Sequence, residues 1–187
     1  MGNRLSAIVT RTGDTGTTGM ADGTRRAKTD IRVHCLGEID ELNAALGISL
    51  SFLQDAPEKQ VLFGVQHDLF DVGAELCQPG KSLIKQAHVD SIESSAEEFN
   101  QPLPALKEFI LPGGSQAVAF LQSARAICRR VERSLVLLKE TEKLNPITGQ
   151  YINRLSDLLF ILARSVANRD SGSEVYWQSK YSRLGNE

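Results

Sequence analysis

Four long stretches of this chain repeat apolar residues every three or four positions, and that period restricts what the chain can become. His34 to Leu53 places Leu36, Ile39, Leu42, Leu46, Leu50 and Leu53 on one stripe; Glu58 to Cys77 does the same with Val61, Leu62, Val65, Leu69, Val72 and Leu76. Ser115 to about Glu142 carries Val118, Leu121, Ala124, Cys128, Val131, Leu135 and Leu138, and Asn145 to about Asp170 carries Leu155, Leu158, Leu159, Leu162 and Val166. Such spacing returns to one face of a 3.6-residue helix, whereas a strand would throw successive positions to opposite sides. Pro79-Gly80 ends the second stretch, and a shorter, more acidic helix is expected from about Ala87 to Asn100, stopping at Pro102 and Pro104. Ser115 is placed to cap the fourth helix, and Asn145-Pro146 to open the fifth. Five amphipathic helices with short connections predict an all-α, antiparallel five-helix bundle of the ferritin-like kind. Only Ala7-Ile8-Val9 reads as strand, and no internal repeat or linker divides the chain.

Its 187 residues suffice for one sizeable core, and 41% hydrophobic with 24% charged residues is ordinary for a globular protein. A formal net charge of -2 argues against nonspecific nucleic-acid binding, and no apolar run reaches membrane-spanning length. The first residues carry neither a signal-peptide core nor an Arg-rich presequence, which points to a reducing cytoplasm. Cys35, Cys77 and Cys128, odd in number and all within helical patterns, read as core thiols.

The N-terminal end follows another logic. Ile8 to Gly19 holds five threonines and three glycines, which bury almost nothing while letting the backbone approach a ligand closely. Its amides and hydroxyls, with Arg11 and Lys28, suit a polyphosphate; a flexible linker is the plainer alternative. Neither the Gly-x-x-x-x-Gly-Lys-Ser/Thr loop nor a Gly-x-Gly-x-x-Gly turn is present. No arginine occurs between Arg32 and Arg125, so the arginines gather in a few segments and suggest one anionic site.

Some polar residues border the stripes. Arg125, Arg129 and Glu132 line up at i, i+4 and i+7, where a solvated face with an Arg129–Glu132 pair is the simpler explanation. Asn153, Asp157, Phe160 and Arg164 share the side of the fifth helix opposite its leucines, and a phenylalanine there calls for cover by another subunit or a bulky ligand. Asp40, Asn43 and Gly47 form a small polar band on the first helix, either structural or an intersubunit partner for arginine. A ferritin-type di-metal site would need Glu-x-x-His pairs, which His34, His67 and His88 do not provide, and no nucleophilic Ser or Cys arrangement is recognisable.

Thr10 to Gly19, Gly37-Glu38-Ile39-Asp40-Glu41-Leu42-Asn43-Ala44, Phe109-Ile110-Leu111-Pro112-Gly113-Gly114, Ala124 to Arg133 and Tyr151 to Phe160 together resemble the signatures of the propanediol-utilisation-type ATP:corrinoid adenosyltransferases. Met20-Ala21-Asp22-Gly23 is the least typical stretch, and the C-terminal tail is variable. The resemblance implies a cobalamin adenosyltransferase-like bundle: residues 1–33 as ATP-binding segment, 34–170 as helical bundle and 171–187 as tail of a single domain. It implies transfer of the 5′-deoxyadenosyl group of ATP to cob(I)alamin with release of triphosphate. It also implies a homotrimer with sites between subunits, Mg²⁺ alongside the triphosphate, and a corrinoid reductase as a candidate partner. By the same resemblance Thr10, Arg11, Thr12, Gly13, Asp14, Gly16, Thr17, Thr18 and Lys28 wrap the triphosphate. Arg125 and Arg129 are the ATP-binding and catalytic arginines, Arg125 pairing with Asp40 of a neighbouring subunit, and Glu132 and Asn153 contact the nucleotide. Phe109 displaces the lower axial ligand of the corrinoid, and Phe160 is expected to lie against the corrinoid as well.

Overall fold

The computed structural model describes residues 9–170 and 174–179. Among them five helices carry the fold: α1 (Ile31–Phe52), α2 (Pro57–Cys77), α3 (Gln86–Asn100), α4 (Gln116–Lys139) and α5 (Pro146–Arg169). Their starts follow from local chemistry. Asp30 accepts from the Arg32 amide, Ser115 from Val118 and Asn145 from Ile147, while Pro57 and Pro146 open α2 and α5. The Asp30 cap starts α1 earlier than its leucine stripe does, because Arg32 and Ile31 are helical without belonging to that stripe.

The predicted stripes form the core. Ile39, Leu42, Leu46, Leu62, Leu69, Leu121, Val131, Leu155 and Leu162 are essentially inaccessible. α4 is central, packed between α1 and α5, with α2 flanking α1 and α3 flanking α5. Asn43 and Gln66 exchange side chain-to-backbone bonds of 3.1 Å in both directions between α1 and α2. Gly47 lies beside this exchange, where a Cβ would stand 3.5 Å from Gln66 Nε2. Asn43 and Gly47 therefore serve helix packing, and Asp40 alone of that band projects outward.

The bundle has two distinct ends. At one, Arg26 and Arg32 both reach Glu142 just beyond α4, at 2.6 and 2.7 Å, and the Ala21 amide donates to Cys77 O at the end of α2. At the other, Phe52 stacks on Phe120 at 5.5 Å, buried Glu58 takes Arg169 at 2.5 Å, and the α3–α4 connector meets the tail.

Two expectations need correcting. Ala7 and Ile8 lie outside the described residues and Val9 is unpaired; the strands are instead β1 (Thr17–Gly19) and β2 (Arg25–Ala27), an antiparallel hairpin pairing Thr18 with Arg26. Gly23, at φ 86°, shapes the return. The hairpin lacks apolar alternation because neither face enters a core, so no period-2 signal marks it. Of the thiols, Cys35 and Cys128 are buried as expected, but Cys77 is only half-buried; no disulfide joins them. Among the described residues no helix is long and apolar enough to cross a membrane.

Candidate active site

The Thr/Gly segment is ordered by its own backbone. Gly16 N donates to Gly13 O at 3.1 Å and Lys28 N to Gly16 O at 2.8 Å, with Gly16 at φ 82° and Arg11 at φ 58°. Lys28 comes to the loop as expected: its Nζ lies 3.3 Å from where a Cβ on Gly13 would stand. Thr10 and Thr12 join their hydroxyls at 3.0 Å, and Asp14 faces solvent. Thr17 and Thr18 belong to β1.

Arg25, which the sequence did not single out, clamps this loop. Its Nη2 donates to Thr12 O at 2.6 Å and to Thr17 Oγ1 at 2.7 Å. The adjacent arginines do not fit the idea of one anionic site. Arg32, 1% exposed, is spent on Glu142 and Leu76 O, and Arg26 on Glu142 and Asp30. Hydrogen bonding from Arg26 first, then from Arg32, holds the Glu142 carboxyl below its usual range against the opposing effect of burial. Arginine clustering in sequence thus mixed scaffold with candidate ligands.

On the α4–α5 face, Arg125 is half-buried with its guanidinium 5.2 Å from the Phe160 ring centroid. Burial lowers its proton affinity, Arg129 lowers it further, and Asp157 opposes both. The structure does not make the Arg129–Glu132 pair: Glu132 accepts from Asn153 Nδ2 at 2.7 Å, and Arg129 is exposed with no ion pair among the described residues. Asp40 is likewise exposed and bonded to no described residue, while nearby Arg130 is engaged by Glu41 and Glu38. Phe160 is half-buried, partly covered by its own chain's Arg125. Arg164, expected beside it on an outward polar face, is 4% exposed and turned inward to Glu174 and Pro104 O, both at 2.8 Å. A partner in the tail, absent from any helical period, makes that burial tolerable.

Phe109 stands at the far end, 77% exposed. Trp177 N donates to Phe109 O at 2.7 Å, Leu111 N to Val175 O at 2.8 Å, and the Trp177 ring meets Phe109 edge-on at 6.3 Å. The tail therefore docks as a short strand on the connector, which answers where Tyr176 and Trp177 go; Tyr181 lies outside the described residues.

From this end α4 presents Arg125, then Arg129, then Glu132, and its 24 residues span about 36 Å before the hairpin is reached at Glu142. A cavity of about 580 Å³ lies between, lined by Glu132 and Asn153 with Leu135, Leu144 and Lys139. Glu75 in its wall is fully engaged by Leu83 N, Ile84 N, Asn145 and Thr148 and is structural. Burial pushes the Cys35 and Cys128 thiols up to about 12, so neither supplies a thiolate at neutral pH. Among the described residues no three His, Cys, Asp or Glu side chains gather to hold a metal ion.

The family model for cobalamin adenosyltransferase matches residues 8–166. The chain is 49% identical over 180 residues to the cobalamin adenosyltransferase of Cupriavidus metallidurans, covering 95% of this chain and 97% of that one. It is 42% identical to the corrinoid adenosyltransferase of Mycobacterium leprae, covering 95% and 98%. Its fold is similar to that of a variant PduO-type ATP:corrinoid adenosyltransferase from Lactobacillus reuteri complexed with cobalamin and ATP. That match has a TM-score of 0.86 at 34% identity and covers 92% of this chain and 99% of the other. With half-buried Arg125 and exposed Arg129 one turn apart on α4 and a family match that runs over most of the length, this chain belongs to the cobalamin adenosyltransferase family.

Proposed function

We propose that this protein transfers the 5′-deoxyadenosyl group of ATP to cob(I)alamin, forming adenosylcobalamin and releasing triphosphate. The observation that carries the mechanism is that Arg125 and Arg129 stand one turn apart on α4 with no ion pair to either among the described residues, Asp157 acting on Arg125 only from longer range. That is what this reaction asks of a protein. Cobalt(I) brings its own electron pair to the ribose C5′, the C5′–O bond breaks, and its electrons leave with the triphosphate, cobalt ending as an alkyl-cobalt(III). The residues need only align the two substrates and neutralise the leaving group.

In this reading Thr10, Arg11, Thr12, Gly13, Asp14, Gly16, Thr17, Thr18 and Lys28 hold the triphosphate with Mg²⁺, and Glu132 and Asn153 hold the nucleoside. Arg125 and Arg129 meet the charge that develops on the departing oxygen. Phe109 and Phe160 form the apolar side toward the corrinoid, where dry packing favours loss of the lower ligand and reduction to Co(I).

The active assembly is a homotrimer with sites between subunits. About 36 Å of α4 separates Phe109 from the residue that anchors the hairpin, longer than an extended ATP, so a neighbour's loop is better placed to meet the nucleotide above a given Phe109. Asp40, bonded to no described residue of its own chain, is the expected partner of a neighbour's Arg125. A cytoplasmic reductase would supply Co(I).

Anaerobic incubation with ATP, Mg²⁺ and chemically reduced cobalamin tests the reading. Adenosylcobalamin and intact triphosphate should appear in equal amounts. Orthophosphate, a phosphorylated product or ATP binding without turnover would each defeat it.

A further inference from the structure

We propose that the buried Arg164–Glu174 ion pair is a latch that positions Phe109 for the corrinoid, acting through the tail strand; the inference rests on the function proposed above. Arg164 is the only residue of α5 described as reaching both segments that flank Phe109. Its Nη2 donates to Pro104 O on the connector before Phe109, and its Nε to Glu174 Oε1 at the start of the tail strand, each at 2.8 Å. Both side chains are shielded, Arg164 at 5% and Glu174 at 13% exposure, so the bond is not a solvent-screened surface pair. Three residues on, Trp177 N caps the Phe109 carbonyl and its ring fixes the edge of the Phe109 ring.

Phe109 has little else to orient it. Its side chain is mostly exposed and belongs to a connector outside any helix, so the strand pairing Leu111–Val175 and Phe109–Trp177 is its main restraint. That strand is short, with one bridge between Ile110 and Tyr176, and a single isolated pairing of this kind is marginal in water. The charged anchor at Glu174 supplies what the pairing lacks. Arg164 also lies one turn along α5 from Phe160, under Arg125, so the same helix face that holds the tail presents the second aromatic candidate. Arg164 and Glu174 are positioning residues; neither is placed to touch the reacting atoms.

Trp177 is the sole tryptophan, so its fluorescence reports the latch directly. Glu174→Ala lies past α5 and should leave the helical circular dichroism intact while shifting Trp177 emission to the red and increasing its quenching by acrylamide. The KM for corrinoid should rise about tenfold with the KM for ATP within twofold, because only the Phe109 end is loosened. Arg164→Met should give the same split, and Glu174→Asp should restore part of the emission and of the KM. Unchanged emission in Glu174→Ala, or equal rises in both KM values, would overturn the latch. A wild-type chain that makes no adenosylcobalamin would instead defeat the proposed function, with the Trp177 measurement still deciding whether the pair holds the tail.

Discussion

The Arg125 guanidinium lies over the Phe160 ring, 5.2 Å from its centroid, within one half-buried face of α4 and α5. The ring's negative face attracts the cation without neutralising it, so the charge stays available to an anion while its direction is set. Phe160→Leu keeps an apolar side chain but removes that face. It should cost about 1 kcal/mol of orientation, read as about a fivefold loss in kcat/KM with an unaltered melting temperature. Steady-state kinetics beside a thermal melt would show it, and wild-type kinetics in the variant would mean that the contact has no part in the reaction.

Arg129→Ala should lose about a hundredfold or more in kcat while changing stability by no more than about 0.5 kcal/mol. The side chain is exposed and makes no ion pair with any described residue, so folding gains little from it. Global unfolding of this variant, seen by circular dichroism, would point to a structural role instead.

Asp40→Ala should weaken assembly or ATP binding without disturbing the protomer, since Asp40 bonds to no described residue of its own chain. Light scattering across a dilution series measures the first and titration with ATP the second. A trimer of unchanged stability with unchanged activity would remove the proposed pair with a neighbour's Arg125.

Glu142→Gln should destabilise the protein by about 2 kcal/mol, because it leaves the buried Arg32 guanidinium without its countercharge; the figure is kept modest because Glu142 is itself about a quarter exposed. The sign with pH follows from the depressed carboxyl. Folded Glu142 releases its proton more readily than the unfolded residue, so its stabilisation is complete above the ordinary glutamate value of about 4.3 and fades as pH falls through the lower folded value. Denaturant melts at descending pH should show wild type and variant converging in acid. A constant gap from pH 7 to pH 3 would rule out the ion pair as the source.

The five helices, their core stripes and the caps at Ser115 and Asn145 were legible in the chain's residue pattern, because apolar burial is favourable whatever the partner and leaves a 3.6-residue period behind. That pattern also exposed Arg125, Arg129 and Phe160 as residues the core does not explain, and it brought Lys28 to the Thr/Gly loop. Which arginines are scaffold emerges from the packed molecule alone. Arg32 and Glu142 stand 110 positions apart, Arg26 and Glu142 116, and no local pattern encodes such a pair. The same holds for Arg25 on Thr12 and Thr17, for the hairpin itself, and for Arg164, whose helical phase pointed outward until Glu174 came back to meet it. Hydrophobic burial is nondirectional and summed along an element, so it is written in periodicity. A buried charge is stable only when one particular opposite group arrives at hydrogen-bond distance, and that is settled by how the finished helices and tail come together.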